Sequence, residues 1–516
     1  MPIDLSDFEQ LLSVRALTVD DHEAVEALQL ACFPGMAPWK LREWEALVSR
    51  FEEGQIGVFA EGEGLIASCS SLVVHAADIG AWHDWMSIAD DGYIRNHDPD
   101  GDTLYGIEMQ VSPKWRGYRL SRRLYAARKD LCRKLDLQRI MIGGRIPGYH
   151  LHQEKMTARE YVDAVMEKRL YDPVLTSQVS NGFVLKRLIK DYMPSDEDSA
   201  GYATELEWSN LDHQGRGHRP QLRSVHPVRV AAVQWQMRRV KSFDEFAQQV
   251  EFFVDTAGDY QADFLLFPEL FTLELLSLVD GGRPGEAARQ LAEFTPQYLE
   301  LFADMAVKYA VNIIGGTQFE LVGDQLFNTA FFFRRDGTLD KQHKIHVTPS
   351  EGRWWGVQGG DEVRLLDSDH GPIAINVCYD VEFPELARVQ TDMGARMLFV
   401  PYNTSDRYGH QRVRVCAQAR CVENHLYAIT AGCVGNLPFV ENADVHYAQS
   451  AVLTPSDIAF APNGIAAETS ANLETVLVHD LDLEAIRRHR ANGTTHNWHD
   501  RRTDLYRVHM KGHDPV

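Results

Sequence analysis

The sequence is poor in several things, and each shortage narrows its function. No apolar run reaches the ~18 residues that a membrane-spanning helix needs, so no membrane partner is expected. Positive charge is scarce: 52 Lys and Arg against 74 Asp and Glu leave a formal net charge of −22. Nucleic-acid and anionic-membrane binding both need a basic footprint, so neither is expected. The first residues, Met-Pro-Ile-Asp-Leu-Ser-Asp-Phe-Glu-Gln, lack the basic flank and apolar stretch of a signal peptide. Only seven cysteines occur, an odd number without a disulfide-like framework, which fits a reducing cytoplasm. His150/His152 and His343/His346 approach metal spacing, but no third or fourth ligand stands beside them, so no metal is expected. Internal repeats and low-complexity tracts are absent.

What is present is a globular composition, with 44% apolar and 24% charged residues over 516 positions. That length predicts two to four domains. A polar stretch at Ser209–Pro227 separates the strand-like Glu205-Leu206-Glu207-Trp208 from the strand-like Val228-Arg229-Val230-Ala231-Ala232-Val233. The expected division is therefore 1–212, a linker at 213–227, a second domain at 228–490, and a tail at 491–516. In the second domain, strand patterns at 228–235, 263–267, 311–319, 328–333, 373–378, 397–401, 427–434 and 474–479 alternate with helical patterns. The helical patterns cover 242–257, 285–309, 384–393 and 410–424. Such alternation predicts an α/β fold with helices covering sheets.

Three runs in this domain carry chemistry. Cys378 closes the apolar stretch Ile375-Asn376-Val377 and is followed by the turn Tyr379-Asp380 and by Pro384. A thiol at the exposed end of a strand, just ahead of a helix N-terminus, can be held as a thiolate. Cys132, Cys416, Cys421 and Cys433 lie inside amphipathic or apolar runs and read as packing residues. Glu269, in Leu266-Phe267-Pro268-Glu269-Leu270-Phe271, leaves the end of an apolar strand. Burial there would raise its pKa and suit it to general-base work. Lys344, in Lys341-Gln342-His343-Lys344-Ile345-His346, is the candidate cation beside a developing oxyanion.

Together these runs, with Arg420-Cys421-Val422-Glu423-Asn424, resemble the nitrilase (carbon–nitrogen hydrolase) superfamily over roughly residues 226–485. The resemblance implies a four-layer αββα sandwich and a Glu269–Lys344–Cys378 site. It also implies a second glutamate, matched by Glu351, that orients substrate, and a backbone N–H of Tyr379 as second oxyanion donor. Nitrile-specific members carry Trp after the nucleophile; Tyr379-Asp380 here resembles the amidase and carbamoylase branches. The implied reaction is hydrolysis of a small-molecule amide through a Cys378 thioester, without a cofactor, in a homo-oligomer. Trp354 and Trp355 are expected to wall the pocket, and loops 270–285, 351–360 and 402–410 to set specificity.

The first domain offers a strand, Leu104–Val111, a turn after Ser112-Pro113, and a helix with Leu120, Leu124, Leu131 and Leu135 along one face. Between Lys114 and Arg145 there are eleven Lys or Arg against two Asp. A glycine-containing turn leading into a basic helix can bind phosphate. Here Arg116-Gly117-Tyr118-Arg119-Leu120-Ser121 resembles the pyrophosphate-gripping turn of GNAT acetyltransferases, with Arg119 in place of the usual second glycine. Asn181-Gly182-Phe183 resembles a Gly-Phe near the end of that fold. The resemblance implies an acetyl-CoA site at Val111 and 116–121, and an amine acceptor. Glu108 reads equally as a base for that amine and as ordinary strand alternation. Two alternatives stand beside a bifunctional hydrolase: acetyl transfer as the main activity, or an N-terminal domain that serves as a scaffold or regulatory module.

Overall fold

The computed structural model describes residues 3–80, 83–213, 225–279 and 282–508. The chain divides into two compact units: Leu11–Leu222, and Arg223–Val516 together with Met1–Gln10. The expected division put the first ten residues with the N-terminal domain, but they group with the C-terminal unit. The reason is local. Ile3, Leu5 and Phe8 pack against its core, Gln10 N–H donates to the Gly337 carbonyl at 3.2 Å, and Glu9 accepts from Leu339 N–H at 3.1 Å. Most of the expected linker lies outside the described residues.

The N-terminal unit is built on a seven-stranded sheet. Its strand order is Leu12–Ala16, Gln55–Ala60, Gly64–Val74, Thr103–Val111, Arg139–Arg145, Ala203–Ser209, Val184–Ile189. All its pairings are antiparallel except Thr103–Val111 with Arg139–Arg145, which pair only from Thr103↔Arg139 to Gly106↔Ile142. Beyond Gly106 the two strands part. A bulge leaves Ile107 without a partner, since Ser71 pairs with Gly106 and Ser70 with Glu108. The helix Leu120–Lys134 buries Leu120, Leu124 and Leu131 of the expected apolar face, while Leu135 lies just past its end and is half-buried.

The C-terminal unit is a mixed α/β structure whose long strand Tyr427–Asn436 serves two sheet regions. Its first half pairs with Met397–Tyr402, and its last residues, Cys433–Gly435, pair with Trp235–Met237. Alternation along Pro227–Met237 decides the layers. Val228, Val230 and Ala232 face the second sheet region, packing with Ile375, Leu398, Val400 and Ala428. Ala231, Val233 and Trp235 face helices Phe243–Asp259 and Thr295–Tyr309. Ala387 of helix Pro384–Asp392 and Val413, Ala417 and Cys421 of helix Arg407–Asn424 complete the core of the second sheet region. The layers are thus helix, sheet, sheet, helix.

Two expected elements are split. The strand pattern at 311–319 is two strands, Asn312–Ile314 and Gln318–Val322, parted at Gly315-Gly316. Gly316 has φ +66°, and a Cβ there would sit 2.0 Å from the Pro268 carbonyl oxygen, so glycine alone permits this approach. The helical pattern at 285–309 is Pro284–Ala292 and Thr295–Tyr309, with Pro296 in the first turn of the second helix. The expected strand 373–378 ends at Ile375, before the cysteine.

Candidate active site

Cys378 sits at the sharpest point of its segment. Asn376 N–H makes the last sheet bond, to the Phe399 carbonyl at 3.0 Å. Cys378 then adopts φ +48°, and a 3-10 turn runs from Cys378 to Glu382. The left-handed conformation costs a non-glycine residue roughly 1 kcal/mol or more, so surrounding bonds must hold it. Asp380 supplies them. Its carboxylate accepts from Val377 N–H (3.1 Å), His346 N–H (2.7 Å) and the His346 ring nitrogen Nδ1 (2.9 Å). One buried side chain therefore ties the cysteine turn to the segment just after Lys344. His346 stacks on Phe383 at 3.7 Å, and Arg420 Nε donates to the Val381 carbonyl at 3.0 Å from the far side. This bond explains the position of the 420–424 motif.

Glu269 follows the buried strand Phe264–Leu266, Lys344 follows Leu339–His343, and Glu351 opens a single π-type turn, Glu351–Trp355. All three converge. Lys344 Nζ lies 2.7 Å from Glu269 Oε1 and 2.7 Å from Glu351 Oε2, and is 1% exposed. Glu351 Oε2 also accepts from the Thr348 N–H and hydroxyl at 3.0 and 2.8 Å. The Glu269 carboxylate is close enough for its charge to act on the Cys378 thiol. Asn403 spans the same pair: its N–H donates to Glu269 Oε2 at 3.0 Å, and its carbonyl oxygen lies 3.9 Å from Cys378 Sγ.

The electrostatics follow from this burial. Burial pushes Glu269 above the ordinary carboxylate range, opposed by Lys344 and reinforced by Glu351. Burial also acts on Glu351, but Lys344 and its hydrogen bonds outweigh it and hold that carboxylate below its usual value. The two carboxylates keep Lys344 well above the usual lysine range, although burial opposes them. The thiol behaves otherwise than its sequence position predicts. Cys378 is buried rather than exposed, and burial first, then the Glu269 charge, push it well above its ordinary value.

The structure thus brings together four residues the sequence singles out: Glu269, Lys344, Glu351 and Cys378. Tyr379 N–H lies in the first turn after the cysteine. Of the two expected pocket aromatics, Trp355 packs edge-on against Phe319 at 5.4 Å while Trp354 is largely exposed. The sequence reading misses Asn328, whose Nδ2 lies 2.9 Å from Glu269 Oε1 and 2.9 Å from Glu351 Oε1. It also misses Asn403 and the clamp made by Asp380. The polar pair Asn328-Thr329, buried between Leu326-Phe327 and Ala330–Phe333 on the strand Gln325–Phe333, is the one signal that points to Asn328. Among the described residues no group of three His, Cys, Asp or Glu could hold a metal. No described helix is long and apolar enough to cross a membrane.

In the N-terminal unit, Arg119 takes the left-handed conformation, φ +47°, immediately before the helix Leu120–Lys134. The position has the backbone a glycine adopts freely. Gly117 has φ +94° and nothing within 4 Å of where a Cβ would stand. Val111 accepts from the Cys32 thiol through its carbonyl at 3.1 Å, and Ser121 and Ser177 hydroxyls lie 3.0 Å apart. Tyr118 meets Trp115 edge-on at 5.0 Å. Much of the basic run is paired internally: Arg133 with Asp130, Lys134 with Glu53, Arg139 with Glu207, Arg145 with Asp196. Arg128 is buried and donates to the Ser70 and Glu108 carbonyls. Glu108 stands where the parallel strands part. Its carboxylate accepts from Gln29 Nε2 at 2.8 Å and Trp39 Nε1 at 2.9 Å, and burial raises its pKa.

Comparison with known proteins agrees with this geometry. Residues 229–491 match the family model for carbon–nitrogen hydrolases. The chain is 48% identical over 509 residues, 99% of each chain, to a protein of Bacillus subtilis named "Probable hydrolase YhcX". It is 32% identical over 206 residues, 39% of this chain and 90% of the other, to the B. subtilis "Uncharacterized N-acetyltransferase YkwB". It is 25% identical over 297 residues, 55% of this chain and 98% of the other, to human "Omega-amidase NIT2".

Proposed function

Because the chain belongs to the carbon–nitrogen hydrolase family, we propose that its C-terminal unit hydrolyses a small non-peptide amide through a thioester on Cys378. The amidase name of the human relative favours an amide over a nitrile. The observation that carries the reading is the buried Glu269 carboxylate, 2.7 Å from Lys344 Nζ and bound by the N–H of Asn403, whose carbonyl lies 3.9 Å from Cys378 Sγ.

In the proposed sequence the sulfur attacks the amide carbonyl while its proton passes to Glu269. A thiol pushed above its ordinary pKa by burial gains from a base that takes its proton as it attacks. Negative charge then grows on the carbonyl oxygen, facing Lys344 Nζ and the Tyr379 N–H as donors. Glu269 returns the proton to the amide nitrogen, the C–N bond breaks, and ammonia or an amine departs. Water attacks the thioester, giving its proton to Glu269, and the C–S bond breaks to release the acid and restore the thiol. Glu351, held ionised by Lys344 and Thr348, orients the ammonium throughout.

For the N-terminal unit, which is similar to an N-acetyltransferase, the proposed ligand is acetyl-CoA at Val111 and the turn Arg116–Ser121. The open Cβ position at Gly117 and the left-handed Arg119 ahead of a 15-residue helix fit the approach of a pyrophosphate. Acetyl-CoA would supply the acetyl group. Glu108, with its raised pKa, would take the proton of an amine acceptor. If this unit is instead a scaffold, full-length protein will not bind acetyl-CoA in calorimetry.

The test of the main reading is ammonia release across a panel of small amides and nitriles, with Cys378→Ala as control. Turnover of amides by the wild type alone is expected. Turnover that survives in Cys378→Ala, or none on any amide, overturns the reading.

A further inference from the structure

The buried charges leave one question open: where the proton from the thiol goes. Glu269 has two oxygens in different surroundings. Oε1 accepts from Lys344 Nζ at 2.7 Å and from Asn328 Nδ2 at 2.9 Å, which fills its two lone-pair positions. Oε2 accepts only the Asn403 N–H at 3.0 Å among the bonds described for it. Asn328 Nδ2 has two protons, and its second partner is Glu351 Oε1 at 2.9 Å. One amide group therefore bridges both glutamates.

We propose that Asn328 is a positioning residue of the amide hydrolysis, binding both glutamates so that the thiol proton is received at Glu269 Oε2. The inference rests on the proposed hydrolase reading and deepens it. Asn328 is fully buried, and its backbone carbonyl also accepts the Lys344 N–H at 2.9 Å. It thus fixes the lysine main chain, the lysine's two carboxylates and the direction of proton transfer at once. The amide cannot be flipped without aiming its oxygen at two carboxylates. The charged and titratable groups facing Glu269 are Lys344, Glu351, Cys378 and Cys433; the thiol of Cys433 touches the Glu269 carbonyl at 3.5 Å. Without the Asn328 donor, Glu269 loses one of three neutralising bonds and holds a proton to higher pH.

The test is the rate of iodoacetamide alkylation of Cys378 against pH, read by peptide mass spectrometry on full-length protein, so that no substrate need be known. The variants are Asn328→Leu, which removes both donors, and Asn328→Ser, which keeps one hydroxyl donor. The expected result is an alkylation midpoint raised by about 1 pH unit in Asn328→Leu and by less in Asn328→Ser. A midpoint unchanged in both, with Cys378 still alkylated, overturns the role of Asn328. Failure of Cys378 to be alkylated in the wild type in preference to the other six cysteines overturns the hydrolase reading instead. Should Asn328→Leu not fold, the serine variant alone decides by the same criterion.

Discussion

Replacing Lys344 by methionine tests the buried charge network without reference to any substrate. Methionine keeps the length and most of the volume of lysine but removes the ammonium. Two carboxylates, each 2.7 Å from Nζ in the native site, would then face each other in the interior. Removing one partner from a buried ion pair costs about 3–5 kcal/mol, because the remaining charge is uncompensated. Here one of the two carboxylates can escape by taking a proton. Glu269 already stands above the ordinary carboxylate range, and loss of Lys344 raises it further. A carboxyl whose folded pKa exceeds its unfolded value loses stability as pH rises between the two. The deficit of Lys344→Met should therefore be small near pH 5 and grow toward pH 8. Glu269→Gln, added to Lys344→Met, should restore at least about 1 kcal/mol at pH 8. Hydrogen exchange in a urea series, read on peptides from Gln325–Phe333, isolates the C-terminal unit from the N-terminal one. A deficit below about 1 kcal/mol at pH 8, or one that shrinks with rising pH, would refute the reasoning.

Three further expectations can be read by the same method. Arg119→Gly relieves a left-handed residue and should stabilise the helix Leu120–Lys134 by roughly 0.5–1 kcal/mol, while destabilisation would show that the arginine side chain matters more than its backbone. Deleting residues 1–10 removes the half-buried Ile3, Leu5 and Phe8 and should cost the C-terminal unit about 2–4 kcal/mol; no change would mean that this strap contributes nothing. Glu274, buried against Trp235 and pushed up to about 8 chiefly by burial, weakens the fold as pH rises from the carboxylate range to that value, so Glu274→Gln should gain on the wild type with pH, and a pH-independent difference would contradict the burial.

The side chains that meet in the candidate site were legible in the sequence because each sits in a short run whose residue types suit the proposed chemistry. Cys378, Glu269, Lys344 and Glu351 all fall in this class. The positions that hold them were not legible. Asn403 acts through its main chain, which residue type does not disclose. Asn328 acts across a strand pairing of residues 325–333 with 339–343, and pairing partners are not written in local pattern. Asp380 lay inside a recognised motif, but its reach to His346 depends on how two distant turns meet. The expectation of an exposed thiol failed for a physical reason. A residue at a strand end is exposed only if nothing covers that end, and here Glu269, Lys344 and the Asn403 segment do. The splitting of 285–309 and 311–319 was foreshadowed by Pro296 and by Gly315-Gly316, yet unbroken apolar patterning outweighed those signals.

Trapping the acyl-enzyme bears most directly on the central claim. Protein quenched in acid during turnover of an amide would be weighed intact and then as peptides. The account predicts a mass increase equal to the acyl group, carried on the peptide containing Cys378 and absent from Cys378→Ala. Turnover with no adduct on that peptide, in a Glu269→Asp variant slowed so that a thioester would accumulate as well as in the wild type, would contradict it.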